Sequence, residues 1–210
     1  ERKFWKDDFS VDSSSQYTGD VASFTGWGTG KLTSASINKT IWSRQRFPNQ
    51  DGVFSIVIKA TDQPISNYYY VGLMVGCAVS NESYDFTLYK EVTTWILLVR
   101  KFMNGGFVSN VRVVVIDDPV GSDREIKVVK TGSTVQIYLN GVLRMTRTLP
   151  FAESTLKMGI HIYGVPSEFH SITYAPSISY ADDFATDTVS GTNGRYNMIY
   201  GSSIAYDEVN

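Results

Sequence analysis

Residues 134–143 read Thr134-Val135-Gln136-Ile137-Tyr138-Leu139-Asn140-Gly141-Val142-Leu143. Val135, Ile137 and Leu139 alternate with Gln136, Tyr138 and Asn140, the period of a strand with one buried face. Asn140-Gly141 suits a two-residue reversal, because both positions tolerate positive φ. Residues 134–139 and 142–148 are therefore expected to form a hairpin with Val135, Ile137 and Leu139 inward.

The same grammar extends in both directions. Residues 53–61 follow Asp51-Gly52 and set Phe54, Ile56, Ile58 and Ala60 on one face, Ser55 and Lys59 on the other. Residues 156–163 set Met158, Ile160 and Ile162 inward, His161 and Tyr163 outward. Further strands are expected at 31–37, 40–47, 68–79, 84–92, 94–102, 111–116, 124–130 and 169–174. Asn104-Gly105-Gly106 and Thr131-Gly132-Ser133 supply turns, and Asn38-Lys39 is read as a tight turn pairing 31–37 with 40–47. Residues 68–76 and 95–99 are apolar on both sides, which predicts burial on both faces or an apolar binding face. No segment has a helical period. The expected fold is all-β: a two-sheet antiparallel sandwich.

Composition agrees and excludes several classes. The chain has 210 residues, 42% hydrophobic and 19% charged, enough for one good core. A net charge of −2 gives no footprint for nucleic acid. A single cysteine, Cys77, precludes an intrachain disulfide, and its apolar strand predicts a buried small hydrophobe. Apolar runs are too short to span a bilayer as helices, and no membrane partner is expected. The sequence opens on Glu1 without a leader-like segment and reads as part of a longer protein. Asp7-Asp8-Phe9-Ser10-Val11-Asp12 is echoed by Asp182-Asp183-Phe184-Ala185-Thr186-Asp187, so residues 1–175 are expected to form one module. Residues 176–210 would be a connector and either the start of a second copy or a β tail packing on the module or a neighbour.

Three pieces of sequence, in order, carry a family resemblance: Asp7-Asp8-Phe9 followed by Gly26-Trp27-Gly28, the hairpin over 135–143, and the Leu156-x-x-Gly159-Ile160 strand with its successor at 169–174. Together they resemble concanavalin-A-like, laminin-G-like jelly-roll modules. That resemblance implies a lectin- or glucanase-like jelly roll binding carbohydrate on a curved sheet face or on edge loops. It makes calcium possible without requiring any cofactor. It also implies a home in a bacteriophage tail or baseplate protein gripping a bacterial cell-surface polysaccharide, so in a virion, or else an extracellular location. Neighbouring domains of the parent protein would be its other partners. The alternatives are a structural or oligomerising β module, or an accessory module of a secreted glycosidase.

Catalysis is not expected. Glycosidases of this look carry a Glu-x-Asp-x-x-Glu or Glu-x-Asp-x-Glu strand, which is missing, and hydrolysis needs two carboxylates at set separation. Acidic residues are read as lying mainly in loops, and the Asp117–Asp123 loop is the best calcium candidate, ahead of Asp7 and Asp8. His161 and His170 on consecutive strands are read chiefly as ordinary hydrogen-bonding residues. A sugar offers an apolar C–H face to an aromatic ring and a hydroxyl rim to polar side chains. The candidate binding residues are Trp42 with Arg44, then Tyr68, Tyr70, Tyr89, Trp95, Arg100, His161 and Tyr163. Arg46, on the face of Trp42 and Arg44, and Tyr138 with Gln136 are further candidates.

Overall fold

The computed structural model describes residues 4–63, 68–77 and 82–177; the side chains of Tyr68 and of residues 111–113 lie outside the description. The strands in chain order are β1 (Trp5–Asp7), β2 (Tyr17–Gly19), β3 (Leu32–Ser34), β4 (Lys39–Ser43), β5 (Phe47–Pro48), β6 (Gly52–Ala60), β7 (Tyr68–Cys77) and β8 (Ser83–Glu91). They continue as β9 (Thr94–Met103), β10 (Gly106–Ile116), β11 (Asp123–Thr131), β12 (Thr134–Leu139), β13 (Val142–Thr148), β14 (Thr155–Tyr163) and β15 (Ser167–Pro176). Two single-turn 3-10 helices, at Ser14–Gln16 and Val21–Ser23, interrupt the N-terminal stretch.

The strands form two antiparallel sheets, a jelly-roll sandwich. A seven-stranded sheet runs β1-β15-β6-β11-β12-β13, with β3 also on β15. An eight-stranded sheet runs β10-β9-β8-β7-β14-β4-β2, with β5 also on β14. The core lies between them. From the first sheet come Phe54, Ile56 and Ile58 of β6 and Val135, Ile137 and Leu139 of β12, all essentially inaccessible. From the second come Val71, Leu73, Val75 and Cys77 of β7 and Met158, Ile160 and Ile162 of β14. The hairpin over 134–148 forms as its alternation predicts. Asn140 and Gly141 take φ of 50° and 76°, and Asn104-Gly105 turns β9 into β10 with 52° and 76°.

The pairing of 31–37 with 40–47 is corrected. Asn38 does take a left-handed φ of 51°, but β3 joins β15 in one sheet and β4 joins β14 and β2 in the other. The turn carries the chain from sheet to sheet. The doubly apolar strands resolve as well. β7 is the middle strand of the eight-stranded sheet, and β9 lies between β8 and β10. Residues from 178 onward, including the echoed segment, lie outside the described residues.

One turn is strained. Val92, between β8 and β9, takes a φ of 54° and is 59% exposed. A β-branched side chain in that region costs about 1–2 kcal/mol and gains no burial here. Asparagine tolerates the conformation, so Val92→Asn should raise stability by about 1 kcal/mol, or ~2–4 °C in Tm. Thermal unfolding reads this directly, and a fall in Tm would show that the turn is not strained.

Candidate functional site

The eight-stranded sheet has a second face, turned away from the core. Its residues follow from register. Arg100 of β9 pairs with Asp85 of β8, Asp85 with Met74 of β7, Met74 with Gly159 of β14, and Gly159 with Trp42 of β4. One row across five strands thus reads Arg100-Asp85-Met74-Gly159-Trp42. The next row reads Leu98-Thr87-Gly72-His161-Thr40 by the same pairings.

At one end of the first row lies an aromatic platform. The Trp42 indole rests against neighbouring strands that carry no side chain beneath it. A Cβ on Gly159 would lie 2.8 Å from Trp42 Cε3, and one on Gly76 would lie 3.1 Å from Trp42 Cη2. The first separation is closer than real Cβ atoms come and the second is tighter than most of their contacts, so these two glycines let the indole lie across the sheet. Lys157 Nζ stands 4.6 Å from the ring centroid. Burial, followed by the nearby Arg46 charge, pulls the Lys157 ammonium below its usual lysine pKa range, with Glu153 opposing.

At the other end is a buried polar knot. Asp85 is fully inaccessible and receives two N–H bonds from Arg100, Nη2 to Oδ2 at 2.5 Å and Nε to Oδ1 at 3.1 Å. His161 Nδ1 is 3.1 Å from Asp85 Oδ2. An Arg-paired carboxylate only accepts, so we assign the proton to Nδ1. The guanidinium carbon of Arg100 sits 3.7 Å from the Tyr70 ring centroid, and Tyr70 meets His161 edge-on at 4.5 Å. Tyr163 and Tyr89 continue the cluster, 5.3 and 6.4 Å from Tyr70. Burial raises the Tyr70 hydroxyl pKa, with Arg100 pulling the other way.

Three hollows open along this face. The largest, about 400 Å³, is lined by Asn38, Thr40, Trp42, Met74, Ser83, Phe102, Asn104, Lys157 and His161, with Glu82 and Gly105. Glu82 is engaged by Lys101 Nζ at 2.7 Å. A second hollow, about 240 Å³, shares Lys157 and adds Thr18, Ser43, Arg44 and Arg46. A third, about 290 Å³, lies towards β10 and is lined by Tyr89, Glu91, Ile96, Leu98, Arg100, Phe107 and Asn110. Seven strands at ~4.8 Å spacing make this face ~29 Å across.

The candidates sort as follows. Trp42 and His161 line the main hollow, Arg44 and Arg46 the second, and Tyr89 and Arg100 the third. Tyr70 and Tyr163 stand with Tyr89 in the next row, Ile96-Tyr89-Tyr70-Tyr163. Arg100 is 93% buried by its partners and acts as a positioning group. The Tyr68 side chain lies outside the described residues. Trp95 must be corrected: it is 3% exposed and points into the core with Leu97 and Val99. In a strand apolar on both sides, alternation does not fix the phase, and β9 puts its odd-numbered residues inward. Tyr138, on the seven-stranded sheet, donates its hydroxyl to Gln136.

The reading of acidic residues as loop residues missed Asp85. Its signal was present, because Asp85, Thr87 and Tyr89 are in phase and opposite to Tyr84, Phe86 and Leu88. Lys157, in phase with His161, was missed for lack of a partner in sequence. His161 and His170 lie in different sheets, and His170 instead approaches Glu168 at 3.4 Å. In the calcium-candidate loop, Asp118 accepts from the Val120 N–H within the loop and from Gln63 outside it. Asp7 likewise accepts from the Phe9 N–H, Ser13 and Tyr17. Among the described residues no group of three or more His, Cys, Asp or Glu side chains converges.

No protein-family model matches the chain, and no curated protein matches it in sequence. Solved structures do match in fold. A carbohydrate-binding module, CBM66 from Bacillus subtilis, superposes with a TM-score of 0.60 at 16% identity, covering 76% of this chain and 95% of that one. The β-glucanase of Bacillus licheniformis gives 0.64 at 11% identity, covering 83% and 98%. The κ-carrageenase of Pseudoalteromonas carrageenovora, solved with a κ-carrageenan oligotetrasaccharide, gives 0.60 at 12%, covering 81% and 92%. The fold is thus the jelly roll shared by carbohydrate-binding modules and glycoside hydrolases.

Proposed function

We propose that this chain is a non-catalytic carbohydrate-binding module whose site is the outward face of the eight-stranded sheet. The observation that carries the reading is the Trp42 platform. An indole lies across Gly159 and Gly76 in a hollow of about 400 Å³ whose rim offers Asn38, Thr40, Asn104, Lys157 and His161. That combination matches a sugar, with an apolar ring face over the indole and hydroxyls at the rim. A shape shared with both binding modules and hydrolases is compatible with it.

The state of Asp85 and Glu82 favours binding over hydrolysis. Asp85 is committed to Arg100 and His161, and Glu82 to Lys101. A two-carboxylate mechanism needs one group to protonate a leaving oxygen and another to attack or to activate water. In the reading we favour, the ligand is a bacterial cell-surface polysaccharide and the parent protein a host-adhesion component of a phage tail, or an extracellular bacterial protein. A second reading, an oligomerising module, draws on β10, a sheet-edge strand with Phe107 and Val115 58% and 67% exposed. Solution mass separates the two.

A tagged copy incubated with intact bacteria and purified wall polysaccharides should label a subset of strains, competed by one polysaccharide. Trp42→Ala should weaken that binding at least about tenfold, worth ~1.4 kcal/mol, with the fold kept. Unchanged binding in the variant would remove the platform from the site. Release of reducing ends from the polysaccharide would replace the module with a glycosidase.

A further inference from the structure

Resting on the carbohydrate-binding reading, we infer that the ligand is an anionic glycan, and that Arg44, Arg46 and Lys157 hold its carboxylate or sulfate beside the ring on Trp42. Several cations of this chain have acidic partners. Lys31 meets Glu168 at 2.5 Å, Lys39 meets Asp20 at 3.3 Å, Lys101 meets Glu82 at 2.7 Å, and Arg100 meets Asp85 at 2.5 Å. Among the described residues, none of Arg44, Arg46 and Lys157 has a carboxylate within 4.0 Å. Three positive groups therefore converge on one depression in a protein of net charge −2.

The groups are also free to act. Arg44 uses its Nε on the Ser15 carbonyl at 3.0 Å, which leaves its terminal nitrogens. The Arg46 guanidinium makes no hydrogen bond among the described residues. Lys157 is partly buried, and the Arg46 charge adds to the burial penalty on its ammonium more than Glu153 relieves it. An anion in the hollow would relieve both penalties. Because Lys157 lines both hollows and caps the Trp42 ring, that anion would sit on the sugar stacked there or on its neighbour. Arginine forks also match the planar geometry of a carboxylate.

The test uses the full chain in titrations against alginate and polygalacturonate, which carry carboxylates, chondroitin sulfate, which carries sulfate as well, and the neutral glucan laminarin and fructan levan. We expect one anionic probe to bind at least about tenfold tighter than either neutral one, and to weaken as salt rises from ~0.05 to ~0.5 M. The carboxylate-only and sulfated arms distinguish the substituent. The Arg44→Ala/Arg46→Ala double variant should lose about tenfold for that probe. A charge-matched double variant on the opposite sheet, Arg144→Ala/Arg147→Ala, should lose nothing. Equal losses in both double variants would reduce the effect to bulk attraction and overturn the inference. A neutral glycan bound equally by wild type and Arg44→Ala/Arg46→Ala, yet lost on Trp42→Ala, would overturn it while leaving the module reading intact. Failure of the wild type to bind any probe would overturn it, and failure on cells and wall polysaccharides as well would take the module reading with it.

Discussion

Replacing Asp85 with alanine should cost about 3–5 kcal/mol of folding stability, because it leaves the Arg100 guanidinium buried without its counter-charge. The carboxylate is inaccessible and is the shared acceptor of Arg100 and His161. Urea unfolding of the variant gives the number. Asp85→Asn should fall between wild type and alanine, since an amide oxygen still accepts one bond but lacks the charge. The informative variant is the double change Asp85→Ala/Arg100→Met. Removing both charges replaces a buried pair with apolar volume, which is often nearly neutral, so the double variant should be more stable than Asp85→Ala alone. A loss below ~1 kcal/mol for Asp85→Ala would mean that water reaches Arg100 and that the knot is not a rigid floor for the groove.

Trp95→Ala should separate stability from binding in the opposite sense to Trp42→Ala. Trp95 is packed with Leu97 and Val99 in the core, so its truncation should cost about 3–5 kcal/mol by loss of transfer energy and by the cavity left behind. Its Nε1 is buried with no hydrogen-bond partner among the described residues. Trp95→Phe should therefore lose much less than Trp95→Ala, since no indole hydrogen bond is given up. Below its lowered melting temperature, the alanine variant should bind glycan like wild type. A selective loss of binding with an unchanged Tm would place Trp95 on the outward face and contradict the register of β9.

These two residues also mark where sequence ceases to specify position. β6, β12 and β14 were legible because their alternation is clean, and Asn140-Gly141 marks the reversal, although the β12–β13 register then shifts between Ile137 and Tyr138. β9 was not: Trp95, Ile96, Leu97 and Leu98 are apolar in both phases, and only burial against the opposing sheet decides between them. The break at Asn38-Lys39 was visible, but its consequence was not, because a local turn cannot report that its flanking strands pair with β15 and β14. The site was half legible. Trp42, His161 and Tyr163 could be proposed from phase and chemistry, Tyr70 and Tyr89 from chemistry. Asp85 is one polar residue between Tyr84 and Phe86 in the sequence, and its role depends on Arg100, fifteen residues away along the hairpin. Gly76 and Gly159 are plain in the sequence, but that one indole spans both is a tertiary fact.

The position of β15 has a consequence for how the chain is made. It lies between β1 and β6, so the first strand of the seven-stranded sheet has no neighbour until nearly the last described residues exist. At ~5–20 residues per second, Trp5–Asp7 must wait on the order of ten seconds for Ser167–Pro176 to leave the ribosome. Meanwhile β6 has at most one of its two partners in the sheet. The seven-stranded sheet therefore closes late, through contacts distant in sequence, which slows folding.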